Sequence, residues 1–113
     1  MMRGYKTFLE SYKHKAAKEV LADWLRDDYS VKVEGFFGHP TFSPDVTTFT
    51  DGHVDAFWEV VHKHWIDGKK LGKMQHYCYE LGIELYCYEV SAEWILCQTE
   101  KPERIEKFSY KLF

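Results

Sequence analysis

Hydrophobic positions recur at intervals of three and four along residues 5–28. Leu9, Tyr12, Ala16, Val20 and Trp24, with Ala17, Leu21 and Leu25 beside them, mark the apolar face of an amphipathic helix. Asp27, Asp28 and Ser30 signal its exit. Residues 31–37 (VKVEGFF) alternate as a strand does, until Gly38-His39-Pro40 interrupts them. Two β-rich runs follow, Val46–Thr50 and Val54–Val61, separated by Asp51-Gly52-His53; Asp-Gly between such runs predicts a hairpin. Helical spacing returns over 67–82, with Leu71, Met74, Tyr77, Cys78 and Leu81 on one face and Gly82 as the stop. Ile83–Val90 reads as a further strand, Trp94–Cys97 as another short one, and residues 103–110 as a poorly defined tail.

The order helix, three strands, helix, strand predicts an α/β (α+β) chain: a hairpin, then a helical crossover, gives a mixed sheet covered by helices. No repeat, linker or low-complexity segment divides the 113 residues, so one domain over 1–113 is expected, large enough to bury a core. A hydrophobic content of 45%, with 18% aromatic, argues against disorder. No run approaches the ~20 apolar residues of a membrane span, and no signal-peptide pattern is present. A soluble, cytoplasmic protein with no membrane partner is the expectation.

Cys78, Cys87 and Cys97 lie in apolar or aromatic runs without C-x-x-C spacing, which predicts small buried hydrophobes in a reducing compartment. The net charge of −3 neither names nor excludes a nucleic-acid partner. Residues 13–18 (KHKAAK) and 62–73 (HKHWIDGKKLGK) are locally basic and suited to a phosphate backbone.

The hairpin carries the chemistry. Pro44-Asp45 opens its first strand, and Glu59 lies near the end of the second, inside the apolar run Phe57–Val61. A three-residue turn at Asp51–His53 would set Thr50 opposite Val54 and Asp45 opposite Glu59, their Cβ atoms about 5 Å apart on one face. A two-residue turn would set Glu59 opposite Pro44 and turn it away from Asp45. Like charges directly opposed are unfavourable in a sheet unless a divalent cation lies between them, and Mg²⁺ is commonly held by one or two carboxylates plus waters and phosphate oxygens. Two solvated acids on an exposed sheet face are the plain alternative. On the first helix, Glu10, His14 and Lys18 form a stripe; Glu10 borders the apolar face, although surface ion-pair stripes of this kind are routine. His62-x-His64 shares a strand face, but spacing supplies no third or fourth zinc ligand.

The run SPDVTTFTDGHVDAFWEVV, then KKLGKMQHYCYELGI and ELYCYEV, resembles the PD-(D/E)xK nuclease superfamily over roughly residues 8–90. The helix carrying Lys70, Gln75 and Leu81-Gly82 is similar to that of small VRR-type nucleases, and EVVHKHWIDGKK to competence-associated nucleases. Gln75-x-x-x-Tyr79 has the spacing of the Q-x-x-x-Y element of RecB-like nucleases. The resemblance implies a restriction-endonuclease-like αβββαβ core and a Mg²⁺ or Mn²⁺ cofactor held by Asp45, Glu59 and the Val60 carbonyl. It also implies a DNA endonuclease acting on branched or duplex DNA, with Glu10 as the first helix's acidic contribution. A homodimer would double the footprint and bring two sites to two strands.

One position departs from the pattern. The family's lysine belongs two residues after the glutamate, where this chain has Val61. Lys63, Lys70 and His14 are the candidates to lie within direct or one-water reach of the Asp45–Glu59 pair, with His62, His64 and Lys69 also near in sequence. The rival expectation is a nuclease fold without catalysis that binds nucleic acid or a protein partner. An unrelated small α/β protein is the third.

Overall fold

A computed structural model describes residues 12–34, 43–62, 68–81 and 86–112. Helix α1 spans Tyr12–Leu25. It ends three residues earlier than the pattern suggests, because the Asp28 and Tyr29 N–H groups both turn back to the Leu25 carbonyl. Its buried stripe is Ala17, Lys18, Leu21, Ala22 and Leu25. Tyr12 is exposed and Val20 and Trp24 are only partly covered, so the apolar face is rotated from the predicted one. A lysine lies inside the buried stripe.

Five strands make one mixed sheet in sequential order: β1 (Ser30–Val33), β2 (Val46–Thr50), β3 (His53–Val61), β4 (Tyr86–Ser91) and β5 (Tyr110–Lys111). The β1–β2, β2–β3 and β4–β5 pairs are antiparallel and β3–β4 is parallel. The parallel pair needs a crossover, which carries helix α2 (Gly68–Leu81). Alternate β3 residues face opposite layers. Ala56, Trp58 and Val60 pack with α1 residues Ala17, Leu21 and Leu25, while Phe57 packs with Met74 of α2 and Cys87. Helices therefore cover both faces of β3, and Ala56 through Val60 are all buried.

The hairpin turn differs from the three-residue loop expected. Thr50 pairs with His53, so Asp51 and Gly52 alone form the turn, both at positive φ (51° and 80°). Positive φ at both central residues suits the twist of a two-residue hairpin. That turn by itself would direct Glu59 away from Asp45. A β-bulge restores the pairing: Phe49 faces Val54 but Thr48 faces Ala56, leaving Asp55 as the extra residue. Val46 then faces Trp58, and one step further Asp45 lies beside Glu59. Gly52→Ala would meet no atom within 4 Å, so its cost is conformational alone. Urea unfolding of this variant is expected to show a loss of about 1 kcal/mol.

Trp94–Cys97 is not a strand. Ala92–Cys97 is a short helix, α3, whose Ser91 side chain accepts the Trp94 N–H while Glu93 occupies the first turn. Trp94 packs edge-on against Trp24 of α1 and stacks on Phe108. The supposed tail holds a 3₁₀ turn (Ile105–Phe108) and β5, with Ile105 in the core. Cys87 is buried as expected, whereas Cys97 is exposed. The side chains of Cys78 and Leu81 lie outside the described set, as do residues 5–11, 35–37 and 82–85 of the predicted elements. Among the described residues, no helix is long and apolar enough to cross a membrane.

Candidate metal and acid–base site

Four elements meet where β2 begins and β3 ends. Asp45 stands at the entry to β2 and Glu59 near the exit of β3, with side chains only 13% and 6% exposed. Each holds the other's backbone in place. The Asp45 N–H donates to Glu59 Oε2 (2.9 Å), and the Val60 N–H donates to Asp45 Oδ2 (2.8 Å). Two carboxylates this close in a buried strand have no packing rationale of their own, because desolvation and mutual repulsion both oppose them.

Each is met by a side chain from a different helix. Lys70, in the first turn of α2, brings Nζ to 2.7 Å from Glu59 Oε1. His14 of α1 lies with Nε2 2.7 Å from the Val60 carbonyl oxygen and 3.3 Å from Asp45 Oδ2. A carbonyl only accepts, so Nε2 carries the proton and His14 acts here as a donor rather than a base.

The environments push the two acids apart. Burial raises the Asp45 carboxyl, but the His14 hydrogen bond, the Lys70 charge and the Val60 N–H outweigh it and hold the group below its ordinary value. For Glu59, burial and then the Asp45 charge win over Lys70 and the Asp45 N–H, and its carboxyl is raised. One acid that stays ionised beside one that readily takes a proton is the arrangement from which acid–base roles are divided.

The same oxygens offer a hard-cation donor set. Asp45 Oδ2 and the Val60 carbonyl already converge on one positively polarised point, the His14 Nε2–H, and Glu59 Oε1 on another, the Lys70 ammonium. Two carboxylates and a carbonyl suit Mg²⁺ or Mn²⁺, which fill their remaining positions with water and phosphate oxygens. Among the described residues, no group of three or more His, Cys, Asp or Glu side chains could hold a metal. Any metal here would depend on the carbonyl and on solvent.

Of the residues singled out from sequence, Asp45, Glu59, Val60, Lys70 and His14 come together; Glu10, Lys63 and His64 lie outside the described residues. His62 points to the other side of the strand and pairs through Nδ1 with Glu93 of α3. Gln75 is exposed and Tyr79 is 85% exposed, on the solvent side of α2. Three further charged groups were not foreseen as neighbours. Glu89, 4% exposed, is the register partner of Glu59 on β4. Lys18, 3% exposed, pairs with Glu34 at the exit of β1. That hydrogen bond holds the Glu34 carboxyl below its ordinary value, although burial and the nearby Asp45 charge oppose it. Lys18 was legible from its place in the α1 stripe; Glu34 had no local signal. Comparison with protein-family models, curated proteins and solved structures found no match.

Proposed function

We propose that the protein is a metal-dependent DNA endonuclease with a restriction-endonuclease-like αβββαβ core of the PD-(D/E)xK type. The observation that carries this reading is the pair of largely buried acids, Asp45 and Glu59, each bonded to a backbone N–H beside the other, with Lys70 delivered onto Glu59 from α2. Asp45, Glu59 and the Val60 carbonyl would hold Mg²⁺ or Mn²⁺. The bound ion would supply Lewis-acid stabilisation of charge on the scissile phosphate. Lys70 takes the charge role that Val61 cannot fill: its ammonium lies at the carboxylate edge and can share its protons with a phosphate oxygen. With the ion bound, Asp45 and Glu59 would both be anionic ligands, and Glu59 Oε1, the oxygen that meets Lys70, would be placed to take a proton from the attacking water. Water adds to phosphorus, the P–O bond to the leaving sugar oxygen breaks in line, that oxygen takes a proton from solvent, and the proton accepted by Glu59 returns to solvent.

A second reading has its own observation. Asp45 and Glu59 are each bonded within the chain, by His14 and Lys70, and among the described residues no buried side-chain N or O lacks a hydrogen-bond partner, so the network is satisfied without a metal. A non-catalytic module binding nucleic acid or protein would be built the same way. Incubation with linear, supercoiled and branched DNA, with Mg²⁺, with Mn²⁺ and with chelator, separates the two. Cleavage in either metal and none with chelator is expected. Failure on every substrate, with no Mn²⁺ uptake by calorimetry, would overturn the enzyme in favour of the module.

A further inference from the structure

We infer that Lys18 and Glu34 form a positioning device that sets the Asp45 backbone, and through it the geometry of the candidate metal site. This rests on the nuclease reading for its purpose, though not for its geometry. Glu34 ends β1 in the left-handed region (φ 58°), a conformation that a glutamate adopts only at a cost. Its N–H, carried by the Val33–Glu34 peptide, continues the β1–β2 pairing one step past Val33–Val46 and donates to the Asp45 carbonyl (2.8 Å). Asp45 is thereby fixed from both sides, its carbonyl by the Glu34 N–H and its own N–H by Glu59 Oε2. The ion pair from Lys18 to Glu34 Oε1 is what opposes the strain.

Lys18 is an expensive choice for this purpose. It sits at a core position of α1, one turn after His14, with its side chain 4% exposed and its ammonium on a carboxylate that is itself 59% exposed. A lysine is seldom so buried unless it is paired, and an apolar residue would fill the same stripe without the desolvation. The helix thus reaches the site twice: His14 holds the Asp45 carboxylate and the Val60 carbonyl, and Lys18 holds the residue that holds Asp45. A left-handed residue at the exit of a strand, tied down by a buried charge and bonded to the backbone of a site residue, fits positioning better than stability.

The test exploits glycine, which adopts positive φ without help. Lys18→Met removes the restraint, so position 34 should relax and release Asp45. Amide hydrogen exchange at position 34 and at Val60 should then quicken about tenfold or more while Phe57 and Val90 stay protected. Turnover should fall about tenfold or more with KM unchanged, since misplacement of a reacting group costs rate rather than binding. Adding Glu34→Gly to Lys18→Met should restore both, because the backbone conformation returns without the ion pair. Unchanged exchange in Lys18→Met, or a double variant as impaired as the single one, overturns the inference. Faster exchange with undiminished turnover also overturns it, by removing the link to function. If the wild type neither takes up Mn²⁺ nor cuts DNA, the nuclease reading fails, and the exchange data still decide whether Lys18 and Glu34 set Asp45.

Discussion

Asp45→Asn is expected to abolish metal-dependent cleavage while keeping the site's hydrogen bonds, and Glu59→Gln to abolish it with the loss of one of them. The difference lies in which oxygens are used. Both donors to Asp45, the Val60 N–H and His14 Nε2–H, converge on Oδ2, so the asparagine carbonyl oxygen can replace it. Glu59 accepts through both oxygens, from the Asp45 N–H and from Lys70. A glutamine has one acceptor oxygen, so its amide NH₂ turns toward either the Asp45 N–H or the partly exposed Lys70 ammonium and one hydrogen bond is lost, at a cost of about 1–3 kcal/mol. Either change removes an anionic ligand that a hard cation prefers, and a fall of about 10²–10³-fold or more in turnover is expected. Wild-type rates in both variants would sink the assignment of the site.

The same two variants separate in pH dependence. The Asp45 carboxyl is held below its ordinary value in the folded protein, so its contribution is present above the unfolded value of about 3.9 and is lost as pH falls through the lowered one. Glu59 runs the other way. Its raised carboxyl favours the protonated folded state, so stability is greatest below the unfolded value of about 4.3 and declines as pH rises through the folded value. Thermal midpoints across pH should therefore show Asp45→Asn flattening the acid limb and Glu59→Gln flattening the limb above it.

How much of this is legible in the residues depends on where each decision is made. The hairpin, the crossover helix and the order of the first four strands follow from alternation, helical spacing and Asp-Gly. The Asp45–Glu59 register does not follow from the turn, since Asp51-Gly52 alone sets the wrong face; the bulge at Asp55 corrects it. Nothing in the type of Asp55 announces a bulge, which answers to the burial of Ala56 through Val60 on both sides of the sheet. Trp94–Cys97, four apolar residues, suits a strand or a helix equally, and the helix is marked only by Ser91 at its cap and Glu93 in its first turn. Lys69 and Lys70 lie in the first turn of α2, a turn that contains no acidic residue, so they oppose the helix dipole and are not explained by the sequence of that turn. That anomaly is the trace of a partner elsewhere in the fold, and for Lys70 the partner is Glu59.

Lys70→Met is the change with the largest combined effect. It takes away the ammonium 2.7 Å from Glu59 Oε1 and leaves a buried carboxylate facing Asp45 with its main compensation gone. Breaking a buried pair from one side costs about 3–5 kcal/mol while the remaining group stays charged. Glu59 has a way out, which is to take a proton, and its carboxyl is already raised. The loss of stability should therefore be large at about pH 8 and much smaller at about pH 5, measured by urea unfolding at both. Adding Glu59→Gln removes the stranded charge, so the double variant should regain most of the stability at the higher pH and lose the pH dependence. Turnover should not follow. Lys70→Met is expected to lower it by about 10²-fold or more, the scale of a positioned charged group, and the stabilised double variant should remain inactive. Loss of cleavage by Lys70→Met alone at about pH 5, where its fold is retained, would show that Lys70 serves the reaction as well as the fold. A single variant that unfolds equally at both pH values, or cuts DNA at the wild-type rate, would remove Lys70 from the site.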